Sequence, residues 1–252
     1  MAVNLDELTS YLDGYLRIHE VGDNPKALNG LQVANGGTVR SIAAAVDVCQ
    51  VTIEQATVAK ADLLLVHHGL FWGGLQPLIG HHGQRVRTLI QHDVALYAAH
   101  LPLDVHAEVG NNAVLARALG LEDWEWFGEY HGQPIGLAGT LSTSRDDLVE
   151  RVQRYLGVSP RVIPTGPESV TRVGIITGGG GSLIGQAVAA GVDTFVSGEG
   201  AHHTYFDAEE SAINVIYAGH YATETVGVKA LAAHVTQRFG LRSIFLDHPT
   251  GL

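Results

Sequence analysis

The chain repeats itself. Residues 39–69, VRSIAAAVDVCQVTIEQATVAKADLLLVHHG, align without a gap onto residues 170–200, VTRVGIITGGGGSLIGQAVAAGVDTFVSGEG, at an offset of 131. Val39/Val170, Gln55/Gln186, Ala56/Ala187, Asp62/Asp193 and Gly69/Gly200 are identical, and apolar positions match along both copies. Each copy reads as an apolar strand, a helix and a second apolar strand, the pattern of a parallel βαβ unit. A second match follows at a shorter offset: YAAHLPLD (97–104) parallels YAGHYATE (217–224). Each is the end of an apolar strand, then a histidine, then a carboxylate four residues later. Unrelated βαβ units share apolar pattern, but not this repeated His-x3-acid. The expected fold class is α/β: two similar halves from an internal duplication, with mixed or parallel sheets flanked by helices. The expected division is a first half over 1–124, a connecting strand and helix over 125–169, and a second half over 170–252.

Local signals fill in the elements. Residues 5–16 place Leu5, Leu8, Tyr11, Leu12 and Leu16 at helical spacing. Asn4 is the expected N-cap, with acids in the first turn where the helix dipole favours them. Strands are expected at 41–48, 61–66, 94–99 and 133–141, and helices near 50–60, 83–92, 111–119 and 146–156. PTGPES (164–169) reads as a turn or linker.

Composition excludes some classes. Lys and Arg number 15 against 26 Asp and Glu, a net charge of −11, which opposes phosphate-backbone binding. Nucleic acid is not an expected partner. No apolar run approaches the roughly 20 residues of a membrane span. The acidic, periodic start and the single cysteine, Cys49, fit the cytoplasm. Charged residues are 16% of the chain, few for a large free surface, which points to a buried subunit interface. Fourteen histidines are an excess that hints at metal or at compositional drift.

In open α/β sheets, ligands bind beyond the carboxyl ends of the strands. The notable polar residues sit there: His67 and His68 after ADLLLV, His100 and Asp104 after VALYAA, His220 and Glu224 after INVIYAG. Imidazole and carboxylate together are a first-row transition-metal ligand set. A lone histidine at a strand end is usually structural, but equivalent positions of a duplicated unit raise the expectation of a metal site between the halves. Two metals about 3.5–4 Å apart bind a bridging water and lower its pKa, which suits hydrolysis. TGGGGS (177–182) lies between a strand and a helix, so Gly178, Gly179, Gly180 and Ser182 are candidates for binding phosphate. The same run also reads as a plain tight turn, and it is not a P-loop. Glu199 and the pair His202–His203 end the next strand of the second half. They line the cavity or act as acid/base groups. Trp72, Trp124 and Trp126 read as packing or interface residues rather than base-stacking platforms.

NGLQV (29–33), ADLLLVHHGLFW (61–72), HLPLDVHAEVGNNAVLA (100–116), TGGGGS, SGE (197–199) and GHYATE (219–224) together resemble the Nif-three-like family. Its members are often called GTP cyclohydrolase 1 type 2 homologues. The resemblance implies His67, His68, Asp104, His220 and Glu224 as ligands of two divalent ions, with Glu224 able to touch both. His100 is a site-lining candidate, at the position the repeat makes equivalent to His220. The ions would be Zn, Fe, Mn, Ni or Co. The resemblance also implies a homo-oligomer, a ring of six subunits, with its metal sites facing an internal cavity. The expected function is dinuclear metal-dependent hydrolysis of a nucleotide or a related C–N or phosphoester substrate through a metal-bridged water. Glu199 or His100 would move protons. The alternative is a non-catalytic metal-binding ring that scaffolds or regulates other proteins.

Overall fold

The computed structural model describes residues 1–251. The chain opens with β1 (Val3–Asn4), α1 (Leu5–Tyr15), β2 (Gly30–Val33) and β3 (Thr38–Val39). It continues through β4 (Ser41–Asp47), α2 (Gln50–Val58), β5 (Leu63–His68), α3 (Gly80–Gln91) and β6 (Ala95–Ala98). Then come α4 (Leu101–Asp104), α5 (Asn111–Leu119), β7 (Glu122–Tyr130), β8 (Gln133–Ser144), α6 (Arg145–Leu156) and β9 (Arg161–Pro164). After β10 (Ser169–Ile176), a 3-10 turn over Gly180–Leu183 leads into α7 (Ile184–Ala189). The chain closes with β11 (Thr194–Ser197), α8 (Thr204–Glu210), β12 (Asn214–Tyr217), α9 (His220–Phe239) and β13 (Arg242–Phe245). No helix among the described residues is long and apolar enough to cross a membrane.

The chain divides into two compact units. The first holds Met1–Gly110 and Gly227–His248, and the second Asn111–Val226 and the residues from Pro249. The first unit carries a five-stranded sheet in the order β13-β4-β5-β6-β2, parallel except for β2. The second carries a six-stranded sheet in the order β7-β8-β10-β11-β12-β9. Only β10, β11 and β12 are parallel neighbours there. Both sheets are therefore mixed, with helices on them. The boundaries fall elsewhere than the repeat predicts. Segment 125–169 supplies most of β7, with β8 and β9, to the second sheet, and residues 227–248 return to the first. A three-stranded parallel core leaves open backbone groups on both edges, and added strands satisfy them. β13 and β2 do this in the first unit, β8 and β9 in the second.

The parallel cores match in register. Ile42 pairs with Leu63 in the first sheet and Val173 with Thr194 in the second, both at the 131-residue offset. The shared aspartates explain part of this. Asp62 Oδ2 accepts the N–H groups of Arg40 and Ser41 at 2.7 and 3.0 Å. Asp193 Oδ2 accepts those of Thr171 and Arg172 at 2.8 and 2.9 Å. Each carboxylate thus ties the residue before the next strand to the early part of the preceding one. The third strands depart from the sequence alignment. Leu63 pairs with Ala95 and Thr194 with Asn214, an offset of 119, whereas the His-x3-acid motifs align at 120. His100 consequently caps α4, whereas His220 is the first residue of α9. The two histidines are one residue out of strict equivalence.

Each unit has its own core. In the first, Ala43, Ala45, Leu64, Val66, Leu96 and Ala98 from the strands meet Ile53, Ala56, Val86 and Leu89 from α2 and α3. In the second, Val173, Ile175, Val196 and Ile216 meet Leu115, Leu119, Leu148 and Val152. The strands in the middle of both sheets are buried on both faces, which is why they read as continuous apolar runs. α1 forms where its pattern predicts, with Asn4 Oδ1 accepting Asp6 N–H at 2.8 Å. β7 is not legible as a strand in the sequence, because its outward positions are acidic and a register shift between Glu122 and Glu125 breaks its alternation.

Candidate metal centre

In the first unit, β5 ends on His67 and His68, and β6 exits directly into His100. Neighbouring parallel strands thus deliver three imidazoles. Their ligand atoms all lie within 4.8 Å of one another, close enough to hold a metal ion. His67 is fully buried, and His68 and His100 are mostly buried.

Each ring is held by the same nitrogen. His67 Nδ1 lies 2.9 Å from the Ala99 carbonyl, which can only accept. His68 Nδ1 lies 2.8 Å from Asp47 Oδ1, and His100 Nδ1 lies 2.8 Å from Asp23 Oδ1. These partners assign the hydrogen to Nδ1 and leave Nε2 as the lone-pair nitrogen of each ring, the arrangement that acceptors behind the ring impose on metal-binding histidines. Asp23 is itself fixed. Asn29 Nδ2 donates to it at 2.8 Å and the Leu101 N–H at 3.1 Å, while Asn29 Oδ1 accepts from His100 N–H at 2.7 Å. Burial pushes the Asp23 carboxyl up. The hydrogen bond and charge of His100, with hydrogen bonds from Asn29 and the Asn24 backbone, outweigh it and hold the group below the usual carboxylate range.

Asp104, in α4, adds a carboxylate. Its Oδ2 is 3.6 Å from His67 Nε2. With Nδ1 carrying the hydrogen, two electron pairs face each other there, which neutral chemistry disfavours. Two ligands at about 2.0–2.2 Å from one cation stand apart by this kind of distance. The donor set and its spacing therefore fit a divalent ion of the nitrogen- and oxygen-preferring type.

The second unit presents a related group. His220 and Glu224 sit one turn apart on α9, with Nε2 and Oε1 3.2 Å apart. His220 Nδ1 lies 2.7 Å from Glu199 Oε1, so this ring too is held by Nδ1. The hydrogen bond to Glu224 raises the His220 imidazole most and burial opposes it. The charge of Glu224 and both effects of Glu199 add, and the pKa is pushed up to about 9. The glycine run closes round this pair. Gly178 has φ +66°, and a Cβ there would collide with Glu224 Oε1. Its N–H donates to Thr223 Oγ1 at 3.0 Å, and the Gly181 N–H donates to the Glu199 carbonyl at 3.0 Å. Gly180 and Gly181 lie tight against Ile176, Ser197 and Gly200. Close approach of backbone to α9, to β11 and to the segment that follows β11 thus accounts for three of the four glycines. Gly178, expected to hold phosphate, has its N–H committed inside the protein. Gly179 and Ser182 are exposed.

The sequence profile of the Duf34/NIF3 family (NGG1p interacting factor 3) matches residues 3–250. The chain belongs to this family. A Deinococcus radiodurans relative named GTP cyclohydrolase 1 type 2 homolog is 47% identical, over 99% of this chain and 95% of that one. An Archaeoglobus fulgidus relative of the same name is 41% identical, over 99% of this chain and 100% of that one. The crystal structure of TTHA1606 from Thermus thermophilus superposes with a TM-score of 0.91 at 46% identity, covering 99% of this chain and 100% of that one. The DUF34/NIF3 fold is thus the fold of the whole chain.

Every expected ligand lies in one of the two groups. His67, His68 and Asp104 join His100 in the first unit, and His220, Glu224 and Glu199 meet in the second. Sequence reasoning missed Asp23, Asn29 and Asp47, which hold the rings from behind. The signal was present in NGLQV and in the acid ending the first repeated strand, but nothing in the sequence says which imidazole each would meet. His202 and His203 open α8 and Cys49 caps α2, each outside both groups.

Proposed function

We propose that this chain is a metal-dependent hydrolase acting on a nucleotide or a related C–N or phosphoester substrate. One observation supports the reading above others: four histidines at strand ends are each held through Nδ1 by a protein acceptor, and Nε2 of His67 and of His220 lies 3.6 and 3.2 Å from a carboxylate oxygen. That is the requirement for a bound metal, and the family membership and the printed names of the relatives agree with it. In this proposal His67, His68 and Asp104 of the first unit, and His220 and Glu224 of the second, are ligands of divalent ions, two per subunit. Ions so held supply Lewis acidity to a water and to the substrate. His100 and Glu199 keep acid/base roles. His100 has Asp23 behind it to stabilise a proton on the ring, and the Glu199 carboxylate is half-exposed beside His220. Gly179 and Ser182 remain the phosphate candidates. Assembly into a ring of six is part of the same proposal, supported by exposed Leu75, Ile79 and Val58 and by the low charge fraction.

The test is a nucleotide panel, GTP included, against protein of measured metal content, with Glu224→Ala as control. Turnover in the wild type that falls at least a hundredfold in the variant supports the reading. Turnover that survives the variant rejects it. Full metal loading with no turnover of any substrate favours the scaffold alternative instead.

A further inference from the structure

Phe71 and Trp72 follow β5 with opposite fates. Phe71 packs against the first core, whereas Trp72 is not part of it. The Trp72 indole meets His100 with ring centroids 5.0 Å apart at 76°, and lies 6.2 Å from His68 at 55°. It stays partly exposed. Its single polar atom points inward, since Nε1–H donates to the Gly69 carbonyl at 2.8 Å. The indole therefore offers the three-histidine cluster only its ring. It is also held in place. Leu28 N–H donates to the Phe71 carbonyl at 3.3 Å, Gly73 N–H donates to the Lys26 carbonyl at 2.9 Å, and Ala27 bridges Trp72. The turn that makes these contacts also carries Asp23 and Asn29, which hold His100. One segment, residues 23–29, thus sets both an imidazole of the cluster and the aromatic ring beside it.

The geometry points to Trp72 as a substrate-recognition residue, a fixed aromatic wall at the three-histidine cluster that stacks the flat heteroaromatic ring of a nucleotide. The inference rests on the nucleotide reading above and names the part of the substrate that is recognised. An indole N–H already donated to the Gly69 carbonyl gives nothing to a sugar or phosphate, whereas every base has a π face. Base–aromatic stacking carries a large and sequence-tolerant share of affinity where it occurs. A preset ring loses little entropy on binding.

The test uses the metal-loaded full chain. Trp124→Phe with Trp126→Phe leaves Trp72 as the sole indole, a fluorescence reporter. Guanosine monophosphate is expected to quench it saturably, and ribose 5-phosphate to leave it unchanged. In calorimetry, Trp72→Leu should weaken guanosine monophosphate at least tenfold and ribose 5-phosphate less than twofold, and Trp72→Phe should recover most of the loss. Elemental analysis should show full metal content in both variants. Equal losses for both probes, unchanged nucleotide affinity in Trp72→Leu, metal loss in the variants, or no nucleotide binding by the wild type would each overturn the inference. The two readings separate. Nucleotide turnover with an unaltered KM in Trp72→Leu sinks the stacking role and leaves the hydrolase. Trp72-dependent binding without turnover does the reverse.

Discussion

The two histidine groups solve the same problem with different means. In the first unit three rings converge from adjacent strand ends, and each is aimed by a separate acceptor: a backbone carbonyl, Asp47 and Asp23. In the second unit one ring and one carboxylate share a helix turn, and space for them is made by glycine. The first group depends on hydrogen bonds that hold rings in position. The second keeps one such hydrogen bond, from His220 to Glu199, and adds the absence of side chains at the glycine run. Sensitivity to mutation should therefore differ in kind, and the comparison can be broken at several points.

The largest expected effect comes from removing a buried ligand. His67→Ala should lower metal-dependent activity at least a hundredfold and reduce bound metal in elemental analysis, and Glu224→Ala should do likewise. Unchanged metal content in both would remove the basis of the comparison.

Glycine substitutions come next. Gly178→Ala combines φ +66° with a Cβ that collides with a carboxylate oxygen of the almost wholly buried Glu224. It should cost about 2–3 kcal/mol in chemical denaturation and lower the metal content found by elemental analysis. Gly179→Ala meets nothing nearer than His220 Cε1 at 3.8 Å and lies outside the left-handed region, so it should be close to neutral. Equal costs would contradict the space-making role of Gly178.

The orienting acceptors should matter less than the ligands they aim. Asp23→Asn and Asp47→Asn should each weaken metal binding by about 10–100-fold in a competition titration, with melting temperature better kept for the partly exposed Asp47 than for the buried Asp23 carboxylate. Glu199→Gln tests the same point in the second unit.

Proton linkage gives the smallest effect. In metal-free protein the His220 pKa is about 9, above the ordinary histidine value of about 6.5. A raised folded-state pKa adds stability that is complete below about pH 6.5 and is lost as pH rises through about 9. The metal-free melting temperature should therefore fall between pH 7 and 9, most of all in comparison with His220→Gln. Metal binding requires the neutral ring, so it should release a proton and tighten with pH over the same window. A metal-free melting curve with no pH dependence beyond that of His220→Gln would show that Glu199 and Glu224 do not hold the charged ring.

Much of this was legible in the sequence. α1 runs from the residue after Asn4, α5 spans Asn111–Leu119, and the three strands of each parallel core lie where apolar runs predict them. The histidines and carboxylates of the two groups were legible as residues that follow apolar strands. The edge strands were not. β2, β9 and β13 are four residues each, and β7 is acidic on its open face, so their pairing depends on which core edge needs covering rather than on local pattern. The return of residues 227–248 to the first unit is equally invisible along the chain. So is the extra residue before His220, which only strand register reveals.

The sequence by itself determined the apolar strands of the two parallel cores, the residue types at their ends and the family, because hydrophobic period and residue type act over a few neighbours. Tertiary structure alone decided which acceptor holds each imidazole, why Gly178 must be glycine, and that Trp72 faces the histidines instead of the core. Asp23 and His100 are separated by 77 residues, and Gly178 and Thr223 by 45, so each of these contacts exists only once separate elements have packed together.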